Sequence, residues 1–451
     1  DFKWVITRYL SEISYPADAV VIERLEWGNF YGYLQNVKEQ GNVVASIDDG
    51  KAWDEFQARI ARANNIHEEI KRIEKKDIGA INYRLEKMRL KERGLELDSS
   101  VSESRRQQMQ ADIAAERAEL DVEYKVLQGQ LADLYKQWHR DTFTMKTAAG
   151  QIKEQRISTV VKAYQPNSMN LIQKVGFYFA KFGDFLTDEP REANTEGGIF
   201  PAIFGTVIMV LIMSVLVTPF GVVAAVYLRE YAKQGLMTRI VRIAVNNLAG
   251  VPSIVYGVFG LGFFIYFLGA EMDKALFAEA LPAPTFGTPG LLWASVTLAL
   301  LTLPVVIVAT EEGLARIPRN LREGSLALGA TKAETLWRVV LPMASPAMMT
   351  GLILAVARAA GEVAPLMLVG VVKLAPSLPV DGNFPYFHLD QKFMHLGFHI
   401  YDVGFQSPNV EAARPLVYAT ALLLVVIIAL LNLSAVALRN HLREKYKSLE
   451  M

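Results

Sequence analysis

Apolar and polar residues divide the chain into two unlike parts, with the change near residue 197. From Ile199 onward, five stretches reach the roughly 20 apolar residues that a helix needs to cross a bilayer. They are 199–228, 243–270, 285–310, 343–372 and 415–438. All but one lack Asp, Glu, Lys and Arg. The exception, 343–372, contains "GLILAVARAAGEVAPLMLVGVV" (351–372), which holds Arg358 and Glu362.

Upstream, apolar residues recur at helical intervals instead, at 66, 70, 73, 78, 81, 85 and 88, then at 109, 113, 120, 124, 127, 131, 134 and 138. Between them, "GLELDSSVSE" offers Gly94 as a helix stop and Ser102 as an N-cap. The pattern predicts an antiparallel, coiled-coil-like hairpin over about 60–139. Its flanks read as strands. "NFYGYLQNVKEQGNVVAS" predicts a hairpin turning at Gly41–Asn42, and "TFTMKT" and "ISTVVKAY" predict further strands. "MNLIQKVGFYFAKFGDFL" (169–186) is amphipathic and aromatic, which suits a helix lying along the outer membrane surface before the chain dives in. The helical hairpin either docks a soluble partner or serves only as a spacer.

Charge orients the spans. The segments 229–242 and 311–342 and the tail 439–451 share one side and hold thirteen Lys and Arg, whereas 271–284 and 373–414 hold four. The richer side is the cytoplasmic one. The expected organisation is an external domain over 1–196, a transmembrane domain over 197–438 and a cytoplasmic tail over 439–451. An external domain ahead of an inward-going span, with no signal-like segment at Asp1, leads to the expectation of one more helix upstream, six in all. Net charge over the 451 residues is zero, which argues against a nucleic-acid partner. There are no cysteines, so neither disulfides nor thiol chemistry enter.

The segment "REGSLALGATKAETLWRVVLP" (322–342) carries the strongest motif. Glu323 precedes the small Gly324 and Ser325, Gly329 follows six positions after Glu323, and Val339, Leu341 and Pro342 close the run. Small residues on one face let a short helix lie close in a groove. Gly329 permits a bend into a second helix, and Pro342 is expected to end that helix and redirect the chain. This element resembles the EAA coupling loop of ABC-importer permeases, with Gly324 and Ser325 in place of two Ala and Val339 in place of Ile. The resemblance implies that Glu323, Gly324, Ser325, Leu328, Gly329, Ala330 and Pro342 seat the chain on a cytoplasmic ATPase. The alternative is an ordinary inter-span loop. The chain has no GxxxxGK[ST] phosphate loop, so ATP and Mg²⁺ are assigned to a partner subunit, with no cofactor here and no enzyme.

"NNLAGVPSIVYGVFG" (246–260) and "ARAAGEVAPLMLVG" (357–370) are similar to the permease of the bacterial phosphate-specific ABC importer, of the PstA type, over roughly 197–438. Residues 1–196 look like the external insertion of a long form. The fold class implied is mainly α, a polytopic membrane protein with type I ABC-importer permease helices, plus an external α+β domain with the helical hairpin. The resemblance also implies an inner-membrane location and four kinds of partner: a PstC-type second permease forming a heterodimer, a PstB-type ATPase dimer, a periplasmic phosphate-binding protein, and phosphate itself. In one departure, "LPVVIVATEEGL" has Ala309 where compact members carry an Arg.

Arg358 and Glu362 are four apart, so a continuous helix would put them on one face near mid-bilayer. A buried charge costs roughly 2.5–3.5 kcal/mol on insertion scales and usually faces a bundle interior or a watery path. Arg stays charged and offers a planar fork to phosphate. Glu362 can pair with it when the site is empty, or accept a hydrogen bond from protonated phosphate. The plainer reading is an ion pair that only fixes helix packing. Asn247, Ser253 and Tyr256, beside Asn246, are further pathway candidates that could equally satisfy backbone groups. His395 and His399 in "HLGFH" are spaced for a metal, but no third ligand is evident, so an ordinary external loop is the reading. Rival functions are a permease for sulfate or molybdate, a membrane sensor, and an intramembrane enzyme, the last lacking any visible nucleophile–base pair.

Overall fold

The structure, a computed structural model, describes residues 12–98, 100–191, 194–407 and 410–446. Asp1 and the tail residue Lys447 lie outside them. Contacts divide the chain into two units, Asp1–Gly198 with Ala278–Ala280, and Ile199–Phe277 with Leu281–Met451.

In the first unit, strands β1 (Ala19–Arg24), β2 (Phe30–Glu39), β3 (Asn42–Ser46), β4 (Asp141–Lys146), β5 (Ile152–Arg156) and β6 (Val160–Tyr164) form one sheet in the order β5-β4-β2-β1-β6, with β3 also on β2. All pairings are antiparallel. The β2–β3 turn lies one residue earlier than predicted, at Gln40 and Gly41. Both have positive φ, 49° and 87°, and Asn42 already pairs with Glu39. Helix α1 (Ala52–Arg72) covers the sheet with Phe56, Ile60 and Ala63, which meet Ile22, Val37 and Phe143 in the core. Arg59, buried on the same helix, holds Glu39, Glu55 and Asp141 at 2.8 Å each.

A π-helical turn, Ile73–Asp77, joins α1 to α2 (Ile78–Leu97), so one helix runs from Ala52 to Leu97. It passes through Gly94 rather than stopping there, because the Asp98 N–H still bonds the Gly94 carbonyl. Helix α3 (Glu103–Trp138) returns beside it. Ser102 occupies the N-cap position without a side-chain capping bond. Ile81, Met88 and Leu95 pack on Ile113 and Leu120, and Tyr135 donates to Glu74 at 2.7 Å. Helix α4 (Leu171–Thr187) follows, opened by a capping box of Asn170 and Gln173. A two-residue ladder of β7 (Pro190–Arg191) and β8 (Glu196–Gly197) ends the unit.

Among the described residues, the second unit contains five helices long and apolar enough to span a membrane, Phe200–Tyr231, Ser253–Leu276, Leu291–Arg316, Lys332–Ala360 and Ala413–His441. They are built from α5 (Phe200–Val226), α7 (Ser253–Phe259), α8 (Ala270–Leu276), α9 (Leu291–Arg316), α11 (Lys332–Thr335), α12 (Leu341–Ala360) and α15 (Val410–Tyr446), with π-helical turns bridging several of them. Helix α6 (Leu236–Leu248) precedes α7, α10 (Arg319–Ala327) precedes α11, and α13 (Leu366–Val369) and α14 (Leu396–Tyr401) precede α15. Helix α9 is the axis: 67% of its most apolar window is buried, against 6% for the last span. Small residues bring its neighbours close. A Cβ on Gly313 would lie 2.4 Å from Ala347 Cβ, and one on Gly351 would lie 2.7 Å from Ala309 Cβ. Ala309 thus fills a helix contact.

Three expected boundaries move. The stretch 243–270 is not one helix, because Gly250-Val251-Pro252 breaks it and leaves the amphipathic α6 separate from the span at Ser253. The stretch 343–372 does not stay helical, because α12 ends at Ala360. Pro342 does not end a helix. The π-turn Leu336–Val340 ends two residues before it, and the helix runs on through it from Lys332 to Ala360.

Candidate functional site

The charge pair sits at a break, not within a helix. Arg358 occupies the last turn of α12, where the unbonded carbonyls at a helix C-terminus favour a cation. Gly361 caps the helix, and Glu362 lies beyond the cap in the short connection to α13. Arg358 Nε and Glu362 Oε1 are 3.7 Å apart, with the two side chains 33% and 20% exposed. The contact is an ion pair too long for a hydrogen bond, so among the described residues the guanidinium keeps its donors uncommitted. Gly361 keeps helical backbone angles, φ −96° and ψ −6°, and the Glu362 N–H bonds the Ala359 carbonyl at 3.2 Å, so a tightened last turn still sets Glu362 beside Arg358.

Two glycines hold this connection. A Cβ on Gly257 of α7 would lie 2.7 Å from Pro365 Cα, and a Cβ on Gly397 of α14 would lie 2.7 Å from Val363 Cγ2. The segment bearing Glu362 is thus gripped from both sides by backbone. Tyr256, 4% exposed, is in electrostatic range of Arg358, while its hydroxyl donates to the Leu248 carbonyl at 2.6 Å. That bond satisfies the end of α6. Ser253 is half-buried at the start of α7, and Asn247 is exposed on α6. Among the described residues neither bonds to the pair. The structure therefore groups Arg358, Glu362 and Tyr256 and leaves Asn247 and Ser253 beside them.

His395 and His399 are buried, not loop residues. His395 caps α14, its Nδ1 accepting from the Gly397 N–H at 3.1 Å. Burial pushes its pKa down to about 3 and that of His399 to about 4. No metal-holding group of three His, Asp or Glu occurs among the described residues.

The second site lies between α9 and α12. Helix α10 carries Glu323 and Gly324 exposed, and Ser325 Oγ lies 2.9 Å from Thr335 Oγ1 across the turn. Gly329 adopts φ 89°, a left-handed conformation that suits glycine, and Ala330 follows half-buried. Thr331 and Glu334 then form a capping box that starts the helix to Ala360. Leu328 is 91% and Trp337 74% exposed, which leaves a large apolar surface at the turn. Arg322, not singled out from the sequence, anchors α10. It donates to the Ile317 carbonyl at 2.7 Å, the Leu314 carbonyl at 2.8 Å and Glu230 at 2.9 Å. Gly397 was also missed, because nothing local marks a glycine whose contact lies 34 positions upstream.

Residues 217–448 match the model of a family described as binding-protein-dependent transport system inner membrane component. The chain is 36% identical over 244 residues to phosphate transport system permease protein PstA 1 of Mycobacterium tuberculosis, covering 54% of this chain and 71% of that protein. It is 34% identical over 276 residues to phosphate transport system permease protein PstA of Mycobacterium leprae, covering 60% and 81%. Phosphate transport system permease protein PstC of Xylella fastidiosa is 31% identical over 209 residues, covering 44% of this chain and 64% of that protein.

Proposed function

This chain belongs to the family of binding-protein-dependent transport system inner membrane components, as a PstA-type ABC permease, and from that premise we propose that it forms half of the translocation pathway of an ATP-driven inorganic phosphate importer. The observation that carries the substrate is the Arg358–Glu362 pair, 3.7 Å apart and partly exposed at a helix break. In an empty site the carboxylate offsets the charge of the guanidinium. Phosphate entering the pathway competes for the free donors of Arg358, whose planar fork matches two oxygens of the anion. Glu362 accepts a proton-bearing oxygen, which sulfate lacks at neutral pH. Binding stays weak enough to release because the site remains partly hydrated.

The coupling path is the continuous helix Lys332–Ala360. It begins at the Gly329 turn and ends at Arg358, about 40 Å away at 1.5 Å per residue. The ATPase-facing turn, with Glu323, Gly324, Ser325, Leu328, Gly329 and Ala330, and the substrate pair thus share one rod. Closing of a PstB-type ATPase dimer pushes on the turn, and the rod carries the motion to the pair. ATP and Mg²⁺ stay with that ATPase. A PstC-type permease supplies the facing wall, and a periplasmic phosphate-binding protein delivers the anion to the side on which 1–196 lies. Residues 197–438 are the membrane domain and 439–451 the cytoplasmic tail.

The test is phosphate uptake by the reconstituted importer. Arg358→Gln abolishes it while the complex still assembles, and Glu362→Gln lowers the preference for phosphate over sulfate in competition. Normal uptake by Arg358→Gln overturns the assignment. Uptake that sulfate or molybdate competes away on equal terms favours a general oxyanion permease.

A further inference from the structure

We propose that α4 is an interfacial membrane helix, which lays its apolar face into the lipid leaflet that the first span enters. The helix has two faces. One is fastened to the sheet: Lys181 Nζ lies 2.5 Å from Glu23, Asp184 pairs with Lys162, and the Phe177 ring lies 4.5 Å from that of Tyr164. The other carries Leu171, Ile172, Val175, Tyr178, Phe179 and Phe182, each at least 50% exposed, with Ile172 at 83%. Their spacing follows i, i+1, i+4, i+7, i+8 and i+11, a single stripe along the helix. Lys174 borders it, and its stem can reach along the stripe while the ammonium stays in water.

Lipid rather than another protein is the occupant because of where the helix ends. The β7–β8 ladder folds the chain back on itself. The Gly198 N–H bonds the Glu189 carbonyl at 3.1 Å, and a Cβ on Gly198 would lie 2.3 Å from the Asp188 oxygen. Asp188 follows α4 directly, and Phe200, two residues after Gly198, opens the first span. Covalent geometry therefore holds the end of α4 within about 15 Å of the point where the chain enters the membrane. An uncharged aromatic stripe at that level matches the interface, where Tyr and Phe partition favourably.

The chain has no cysteine, so single-cysteine labelling is direct. Phe179→Cys and Phe182→Cys, each carrying an environment-sensitive fluorophore, are compared with Val126→Cys on α3, which is 56% exposed. The full chain is placed in nanodiscs. Labels at 179 and 182 are expected to shift to the blue, to lose emission to spin-labelled lipids and to resist aqueous iodide, with the reverse at 126. Equal quenching by iodide at all three positions overturns the proposal. So does protection from both quenchers at 179 and 182, which means a protein covers the stripe.

Discussion

Gly257 and Pro365 touch backbone to backbone: a Cβ at 257 would stand 2.7 Å from the Pro365 Cα and 2.9 Å from its carbonyl oxygen. They come from the two stretches of sequence that resemble the phosphate-importer permease most. Their contact fixes where α12 stops and where Glu362 is held. A charge pair at a helix end depends on such support, because one i→i−3 bond, from the Glu362 N–H to the Ala359 carbonyl, is all that ties its second member to the helix.

Gly257→Ala and Gly397→Ala are therefore expected to cut phosphate uptake by about tenfold or more while touching neither charge, since small misplacements of a binding group carry large penalties. Overpacking costs about 1–3 kcal/mol at each site. Initial uptake rates and complex yield, measured together, check this. Wild-type rates for both variants show that the connection is not held from these sides.

Leu328 is 91% exposed at the turn before Ala330. Leu328→Asp should leave the thermal stability of the isolated chain within about 0.5 kcal/mol, as for most surface changes. It should nevertheless abolish co-purification of the ATPase, because an apolar anchor at the centre of an interface carries much of its energy. Retained ATPase with unchanged coupling removes the turn from the docking surface.

His395 stays neutral in the fold, its pKa pushed down by burial from the ordinary 6.5 to about 3. Between these values the unfolded chain takes up a proton that the folded chain refuses. Stability is thus complete above pH 6.5 and falls as the pH drops toward 3, by up to about 1.4 kcal/mol per pH unit. His399, down to about 4, acts in the same direction. His395→Asn keeps an acceptor for the Gly397 N–H and should flatten the slope. Thermal unfolding of the chain in nanodiscs from pH 7 to pH 5 reads it, and an unchanged slope in the variant assigns the effect elsewhere.

Composition and period determine much of this protein by themselves. Exposing some 20 consecutive apolar residues to water is so unfavourable that five such runs dictate five spans, whatever packs around them. The 3.6-residue spacing that brings Ile81, Met88, Ile113 and Leu120 together is written in consecutive positions, as is the turn at Gly329. Arg358 and Glu362 stand out because charge inside an apolar run is costly wherever it lies. Strands β1 and β5 escaped notice, β1 being only six residues long and β5, Ile-Lys-Glu-Gln-Arg, lacking any apolar alternation.

Tertiary structure decided the rest. Hydropathy counts side chains and is blind to whether the backbone ladder continues. It could not separate α6 from α7, stop α12 at Ala360, or carry a helix through Pro342. Nor could it bury His395, or set Gly397 on Val363 and Gly257 on Pro365. Those contacts join residues far apart in the chain, and their energy comes from close packing between helices, which no local pattern of residues encodes.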